Sequence, residues 1–408
     1  MSSAAALFEP LRSWLSSESL QSFVSQHTHS IIALKKNAPV GEALKTLGDN
    51  KILSVPVLDD EGEYLGAFSV GDVLRVLMQE LETQLGHGWF ERMSTIKAAD
   101  VEAVGTAVCA KKVHTVTHPG DLWLKGDAKT TVLTVIKEGF QVLDRKGHHR
   151  IFVVDPRKAH LRDRQRQHRG HQHQAPAARS PSQRLRPTDI VSQLDVVKLV
   201  SEHKDKLELV MDKTLEDLEI FEGSVFTIHA SATALEAFHH MALDHKSCLG
   251  IVDNTGKLIG SVSISDLRFV GSNNYGLLMS TVAEFSVIIN GKGPSAEEAI
   301  KGTRAPWRDN KWADVLKAVP LPTLTPSATF GKLLETMAGQ GLHRIYIVDE
   351  DGKPVSIVTL TDVVREIIKP EAPQHNFKRM GTNDLPETTD DEEGDDDDDD
   401  DEDEEEAK

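Results

Sequence analysis

The chain is poor in cysteine: Cys109 and Cys248 are the only two among its 408 residues. Two thiols cannot build a disulfide framework, and neither stands in a Cys-x-x-Cys or mixed Cys/His ligand spacing, so a structural zinc site is not expected. A reducing cytosolic or nuclear compartment fits this usage. No run of eighteen apolar residues occurs, which excludes a membrane-spanning helix. The opening Met1-Ser2-Ser3 lacks the basic stretch and apolar core of a secretory leader, so secretion is not expected. With 39% hydrophobic content over this length, two or three domains with sizeable cores are expected.

Charge is abundant and unevenly placed. Sixteen acidic residues lie between Asp390 and Glu406, interrupted only by Gly394, and they account for all but two of the formal net charge of −18. Such a run repels itself and buries nothing, so it reads as a disordered solubilising tail, with a docking arm for a basic partner as the alternative. Between Arg157 and Arg186 the balance reverses: nine Arg or Lys, one Asp, and His160, His168, His171 and His173, without hydrophobic period. That stretch has no aromatic residue to stack on bases, so nucleic-acid binding is not expected of it. Its histidines lack ligand spacing, and it reads as a disordered surface insertion.

Internal repetition carries most of the information. The last of four similar stretches is the clearest. After Leu321–Thr325 comes a helix around Phe330 to Met337, with Leu333, Leu334 and Met337 in one apolar stripe. A strand Arg344–Val348 follows, then the turn Asp349–Gly352, a second strand Pro354–Thr359, and a helix carrying Val363, Val364, Ile367 and Ile368. The third stretch repeats this order through Val225–His229, Leu235/Phe238/Met241, Leu249–Val252, the turn Asp253–Gly256 and Leu258–Ser263. The first does so through Ala43/Leu44/Leu47, Val55–Leu58, Asp59–Gly62 and Tyr64–Ser69. In the second, Val132, Val135 and Ile136 mark the helix and Arg150–Asp155 the strand, and the basic insertion replaces the turn before Asp189–Ser192. A hairpin tip accepts such an insertion because closure entropy rises only logarithmically with length.

Each repeat ends in a hydroxyl-x-x-acid signature before its second helix: Ser69 and Asp72, Ser192 and Asp195, Ser263 and Asp266, Thr359 and Asp362. One reading is structural, an approximate capping box. The other is functional: the hydroxyl and free helix amides suit phosphate oxygens, and the acid suits a ribose diol. No paired general acid and base recurs, so no enzyme activity is expected.

These repeats resemble cystathionine-β-synthase (CBS) domains, over roughly residues 25 to 370 without the insertion. The resemblance implies an α/β (α+β) fold of four β-α-β-β-α repeats arranged as two paired modules, first with second and third with fourth. It also implies that Asp72, Asp195, Asp266 and Asp362 hold adenosine ribose hydroxyls. Four copies resemble the gamma regulatory subunit of AMP-activated and SNF1-type kinases, where a basic pair before the second- and fourth-repeat strands faces phosphate. Here His149-Arg150 and His343-Arg344 stand at those places, and both residue types donate well to phosphate. Lys51 and His245-Lys246 precede the other two strands without forming such a pair, so at most two strong anionic sites are expected.

The implied segments are 1–24 N-terminal, 25–80 first repeat, 81–110 linking, 111–205 second repeat with insertion 157–186, 206–272 third repeat, 273–318 linker, 319–370 fourth repeat and 371–408 tail. The function implied is noncatalytic sensing of AMP, ADP or ATP as regulatory ligands, with kinase catalytic and scaffold subunits as partners. The alternative is a CBS scaffold without nucleotide regulation. Self-association into a homo-oligomer stays open, and the cytoplasm and nucleus are not distinguished.

Overall fold

The computed structural model describes residues 4–26, 31–117, 123–125, 130–143, 148–154, 187–221, 225–271, 273–291 and 311–369. The insertion 157–186 and the tail 371–408 lie outside the described residues. Four three-stranded sheets share one topology, in which the first strand pairs parallel with the second and the second antiparallel with the third. The first unit contains β1 (Leu34–Lys35), β2 (Ser54–Leu58) and β3 (Tyr64–Ser69); the second, β4 (Trp123–Lys125), β5 (Arg150–Val154) and β6 (Asp189–Ser192). The third contains β7 (Thr227–His229), β8 (Cys248–Val252) and β9 (Leu258–Ser263), and the fourth β10 (Thr323–Leu324), β11 (Arg344–Val348) and β12 (Pro354–Thr359). The parallel pair requires a crossover. It is supplied by Val40–Asp49, by Val132–Thr134 continuing as a wide π turn Val135–Gly139, by Ala234–Leu243 and by Phe330–Gln340. The architecture is thus the mixed α/β arrangement of repeated small layers read from the sequence.

Turn chemistry sets the hairpins. Gly62, Gly256 and Gly352 hold φ of 78°, 79° and 77°, a region open to glycine at no steric cost. Four residues before each glycine's successor, Asp59, Asp253 and Asp349 use Oδ1 to accept the amide of Glu63, Lys257 and Lys353 at 2.6, 3.2 and 2.7 Å. Central strands are buried on consecutive residues rather than alternate ones: Ile345, Tyr346 and Ile347 are all at most 1% exposed. The reason is that helices cover one sheet face and a partner sheet covers the other. Tyr346 Oη lies 2.9 Å from Ser261 Oγ, and the Leu258 amide donates to Gly352 O, joining third and fourth sheets. Tyr64 and Phe152, with ring centroids 5.7 Å apart, join first and second.

Buried side chains follow a different grouping. One core combines Leu44, Leu47, Val73 and Leu77 of the first unit with Leu235, Phe238, Met241 and Val262 of the third. The other combines Val135, Val196 and Val200 of the second with Phe330, Leu334, Val363 and Ile367 of the fourth. Phe8, Leu11 and Leu15 of the N-terminal helices belong to this second core. Sheets therefore pair along the chain while helices pack across it. Two elements depart from the pattern read from the sequence. The third unit's second helix is a short 3₁₀ segment, Ile264–Phe269, ended by Gly271 at φ 70°. Its first strand begins at Thr227 rather than Val225.

Candidate functional site

Every signature forms the capping box that its spacing permits. The backbone N–H and the hydroxyl of Ser69 both donate to Asp72 Oδ2 at 2.9 Å. Those of Ser192 reach Asp195 Oδ2 at 2.8 and 2.7 Å, those of Ser263 reach Asp266 at 2.7 and 3.2 Å, and those of Thr359 reach Asp362 at 2.8 and 2.7 Å. The hydroxyls of Ser69, Ser192 and Thr359 are thus given to their own acids, while that of Ser263 also lies 2.6 Å from Ser265 Oγ. The acids differ in their second oxygen. Arg75 lies 3.5 Å from Asp72 Oδ1 and Arg365 donates to Asp362 Oδ1 at 2.9 Å, whereas no described residue donates to Oδ1 of Asp195 or Asp266.

The boxes orient four helix starts toward one point. The first amide of each helix, at Val70, Gln193, Ile264 and Leu360, donates to Leu53 O, His149 O, Ser247 O and His343 O. These four carbonyls mark equivalent positions, so the His-Arg pairs of the second and fourth units correspond to Leu53-Ser54 and Ser247-Cys248 in the others. Lys51 and His245-Lys246 lie further upstream in the sequence. The second residues of the same helices, Gly71, Leu194, Ser265 and Thr361, line a single cavity of about 440 Å³ together with His149, Arg150, His343 and Arg344. Both basic pairs therefore meet in one space. Ser69, Ser192 and Thr359 also border it.

A second cavity of about 500 Å³ adjoins the first and shares Arg150, His343 and Arg344 with it. It adds Ser263, Asp266, Arg268 and Lys51, and an apolar wall of Ile259, Leu316, Val319, Pro320 and Leu321. Leu316 is seated on Gly260, where a β-carbon would come within 2.6 Å of it. Asp72, Asp195 and Asp362 line neither cavity, so of the four expected ribose acceptors only Asp266 faces this open space. Arg268 and Gln193 were missed by sequence reasoning. Arg268 carried a faint signal, two residues beyond the third acid where Arg75 and Arg365 follow theirs by three.

The electrostatics are those of crowded cations. Burial, followed by the neighbouring Arg150, Arg344, His149 and Arg268, pushes His343 down to about 4. Burial also lowers His149, against a raising contact from Gln193, with Arg150, Arg344 and His148 lowering it further. Arg150 falls to about 10 through burial, partly offset by Asp195. Asp266 is raised by burial despite bonds from Ser263 and the nearby Arg344 and Arg268. Like charges gathered in a concave, partly dehydrated space are the arrangement an anion relieves.

The CBS domain model matches residues 24–79, 219–272 and 313–369, and the second unit shares the same sheet topology without being matched. The SNF1-related protein kinase regulatory subunit gamma-like PV42b of Arabidopsis thaliana is 19% identical over 357 residues, covering 82% of this chain and 90% of that protein. Protein SDS23 of Candida albicans is 27% identical over 175 residues, 42% of this chain, and the matched part spans 25% of that relative's length. Among solved structures, protein MJ1225 of Methanocaldococcus jannaschii, described as a candidate archaeal homologue of g-AMPK, superposes with a TM-score of 0.53 at 14% identity, covering 85% of this chain and 99% of that one. The last likeness concerns the fold.

Proposed function

We propose that this CBS-domain protein, related to gamma-like kinase regulatory subunits, is a noncatalytic sensor of adenine nucleotides and serves as the gamma-like component of a protein kinase assembly. The observation that carries the reading is the convergence of His149, Arg150, His343 and Arg344, from two different units, on one cavity that continues into a cleft holding Asp266. A nucleoside phosphate matches this layout end to end. Its phosphate oxygens meet guanidinium and imidazole donors together with helix amides. Its ribose diol donates to the unbonded oxygen of Asp266. Its base meets the apolar wall formed by Ile259, Leu316, Val319 and Pro320. On this reading the role is recognition rather than turnover. Because the cations come from different units, a bound phosphate favours whichever arrangement brings them together, and regulation follows from that difference in affinity.

Calorimetric titration of the full chain with AMP, ADP, ATP and an S-adenosyl compound tests the reading. Saturable binding of the phosphate-bearing ligands is expected, weaker by about tenfold or more in Asp266→Asn and Arg344→Met. Inorganic phosphate is expected to lose affinity only in Arg344→Met. A wild-type chain that binds none of these nucleotides ends the proposal, and kinase binding without nucleotide response leaves a scaffold.

A further inference from the structure

Gln193 breaks the pattern of its position. The residue after the signature hydroxyl is Val70, Ile264 or Leu360 in three units and a glutamine in the second, and this glutamine is only 1% exposed. Burying an amide where an apolar side chain would serve is unfavourable unless its polar atoms are bonded. They are: Nε2 donates to His148 O at 3.1 Å, Oε1 accepts from Thr361 Oγ1 at 3.0 Å, and Oε1 lies 3.4 Å from His149 Nδ1.

These contacts fix the protonation pattern of the histidine. With Nε2 of Gln193 directed at a carbonyl, the amide has one sensible orientation, so Oε1 is the atom that meets His149 and Nδ1 must be the ring nitrogen carrying hydrogen. In the neutral ring the remaining nitrogen, Nε2, is then a lone pair. The ring borders the central cavity. His148 and Arg150 flank it in sequence, and His343 and Arg344 of the fourth unit face the same space, with Arg268 of the third beside Arg150 and His343. Burial and these cations favour the neutral ring. A lone pair opposite a phosphate oxygen is repelled, whereas an N–H there is a charge-assisted donor.

We infer that Gln193 is a positioning residue that holds His149 as its Nδ1–H tautomer, so that a phosphate monoester entering the central cavity draws one proton from solvent onto His149 Nε2. The Thr361 hydroxyl on the same Gln193 oxygen carries this change from the second unit to the fourth. The only bond formed is N–H, and the proton comes from buffer. This inference rests on the nucleotide reading of the cavity.

The test is titration of the full chain with AMP at pH 7.5 in two phosphate-free buffers of different ionisation enthalpy, which reads protons taken up per ligand bound. Wild type is expected to take up protons. Q193L is expected to bind AMP with clearly smaller uptake, because without Oε1 the ring adopts the Nε2–H tautomer and donates while neutral. H149N is expected to show the same reduction, and the double variant no more than either alone. Thr361→Val, which leaves Gln193 in place, provides a second probe if Q193L does not fold, with uptake altered while AMP remains bound. Saturable AMP binding with no proton uptake, or with uptake unchanged in Q193L, overturns this inference and leaves the nucleotide reading intact. Absence of AMP binding in wild type overturns the nucleotide reading itself.

Discussion

The ring of Tyr275 occupies the space directly against Gly105, where a β-carbon would come within 2.0 Å of the tyrosine Cγ. Gly105 belongs to the helix Ala98–Ala110 that follows the first unit, and Tyr275 opens the short 3₁₀ segment Tyr275–Met279 that follows the third. The tyrosine is fully buried, with its hydroxyl 3.9 Å from Cys109 Sγ. Gly105→Ala is therefore expected to force these elements apart and to cost about 1–3 kcal/mol in chemical denaturation. The same variant should make the buried Cys109 thiol react faster with a thiol reagent, and unchanged reactivity would argue against separation.

Arg12 ties the N-terminal helix to the end of the fourth unit. Its guanidinium donates to Ile367 O at 3.2 Å and to Ala5 O at 2.8 Å, and it pairs with Glu9. Ile367 lies in the last turn of the helix Leu360–Ile368, where carbonyls have no partner within the helix. Arg12→Ala should lower stability by about 1.5–3 kcal/mol in a thermal or urea melt. Arg12→Lys should recover only part of this, because an ammonium does not reproduce the planar fork.

The crowded cations should trade stability against binding. Arg344→Met removes one positive charge from beside His343, so the ligand-free variant is expected to be as stable as wild type or more stable, by up to about 1 kcal/mol. Added AMP should then raise its melting temperature much less than that of wild type. A variant less stable without ligand and equally stabilised by AMP would contradict the electrostatic account.

Acid should destabilise the ligand-free chain through the histidines that the fold holds below their ordinary value. His343 titrates at about 4 in the fold, with its ordinary value at 6.5, and His149 and His239 are lowered as well, each chiefly by burial. Through these groups the unfolded chain binds more protons between pH 6.5 and 4, and the stability they contribute falls as pH drops through that window and levels off below it. His343→Gln should flatten part of this decline. Saturating AMP should also reduce the loss, because a phosphate favours the protonated ring. Urea midpoints measured from pH 7.5 to 4.5, with and without AMP, give the comparison.

Local chemistry was the legible part of this molecule. The Asp-to-Gly turns, the strand pairs and the four hydroxyl-x-x-acid caps follow from residue types at fixed spacing, and the structure has them where that spacing places them. The two His-Arg pairs stood out for the same reason. Their meeting in one cavity did not, because it depends on which units face each other and no periodicity records that. Crosswise packing was hidden likewise: Leu44 and Phe238 each read as core residues, but nothing in either helix names its partner. Phe8, Leu11 and Leu15 are fully buried although the first 24 residues read only as a leading segment. Gln193 was not legible because its partners, His148, His149 and Thr361, are distant in sequence.

The two directions of packing make the units interdependent. Sheets link first to second and third to fourth, while apolar side chains link first to third and second to fourth. Dividing the polypeptide between the second and third units would leave both interiors half open. Fragments ending near residue 221 or starting near 225 should consequently be insoluble when produced singly and recoverable when made together. Each unit thus touches two others, one through its sheet and one through its core, and the four contacts close on themselves.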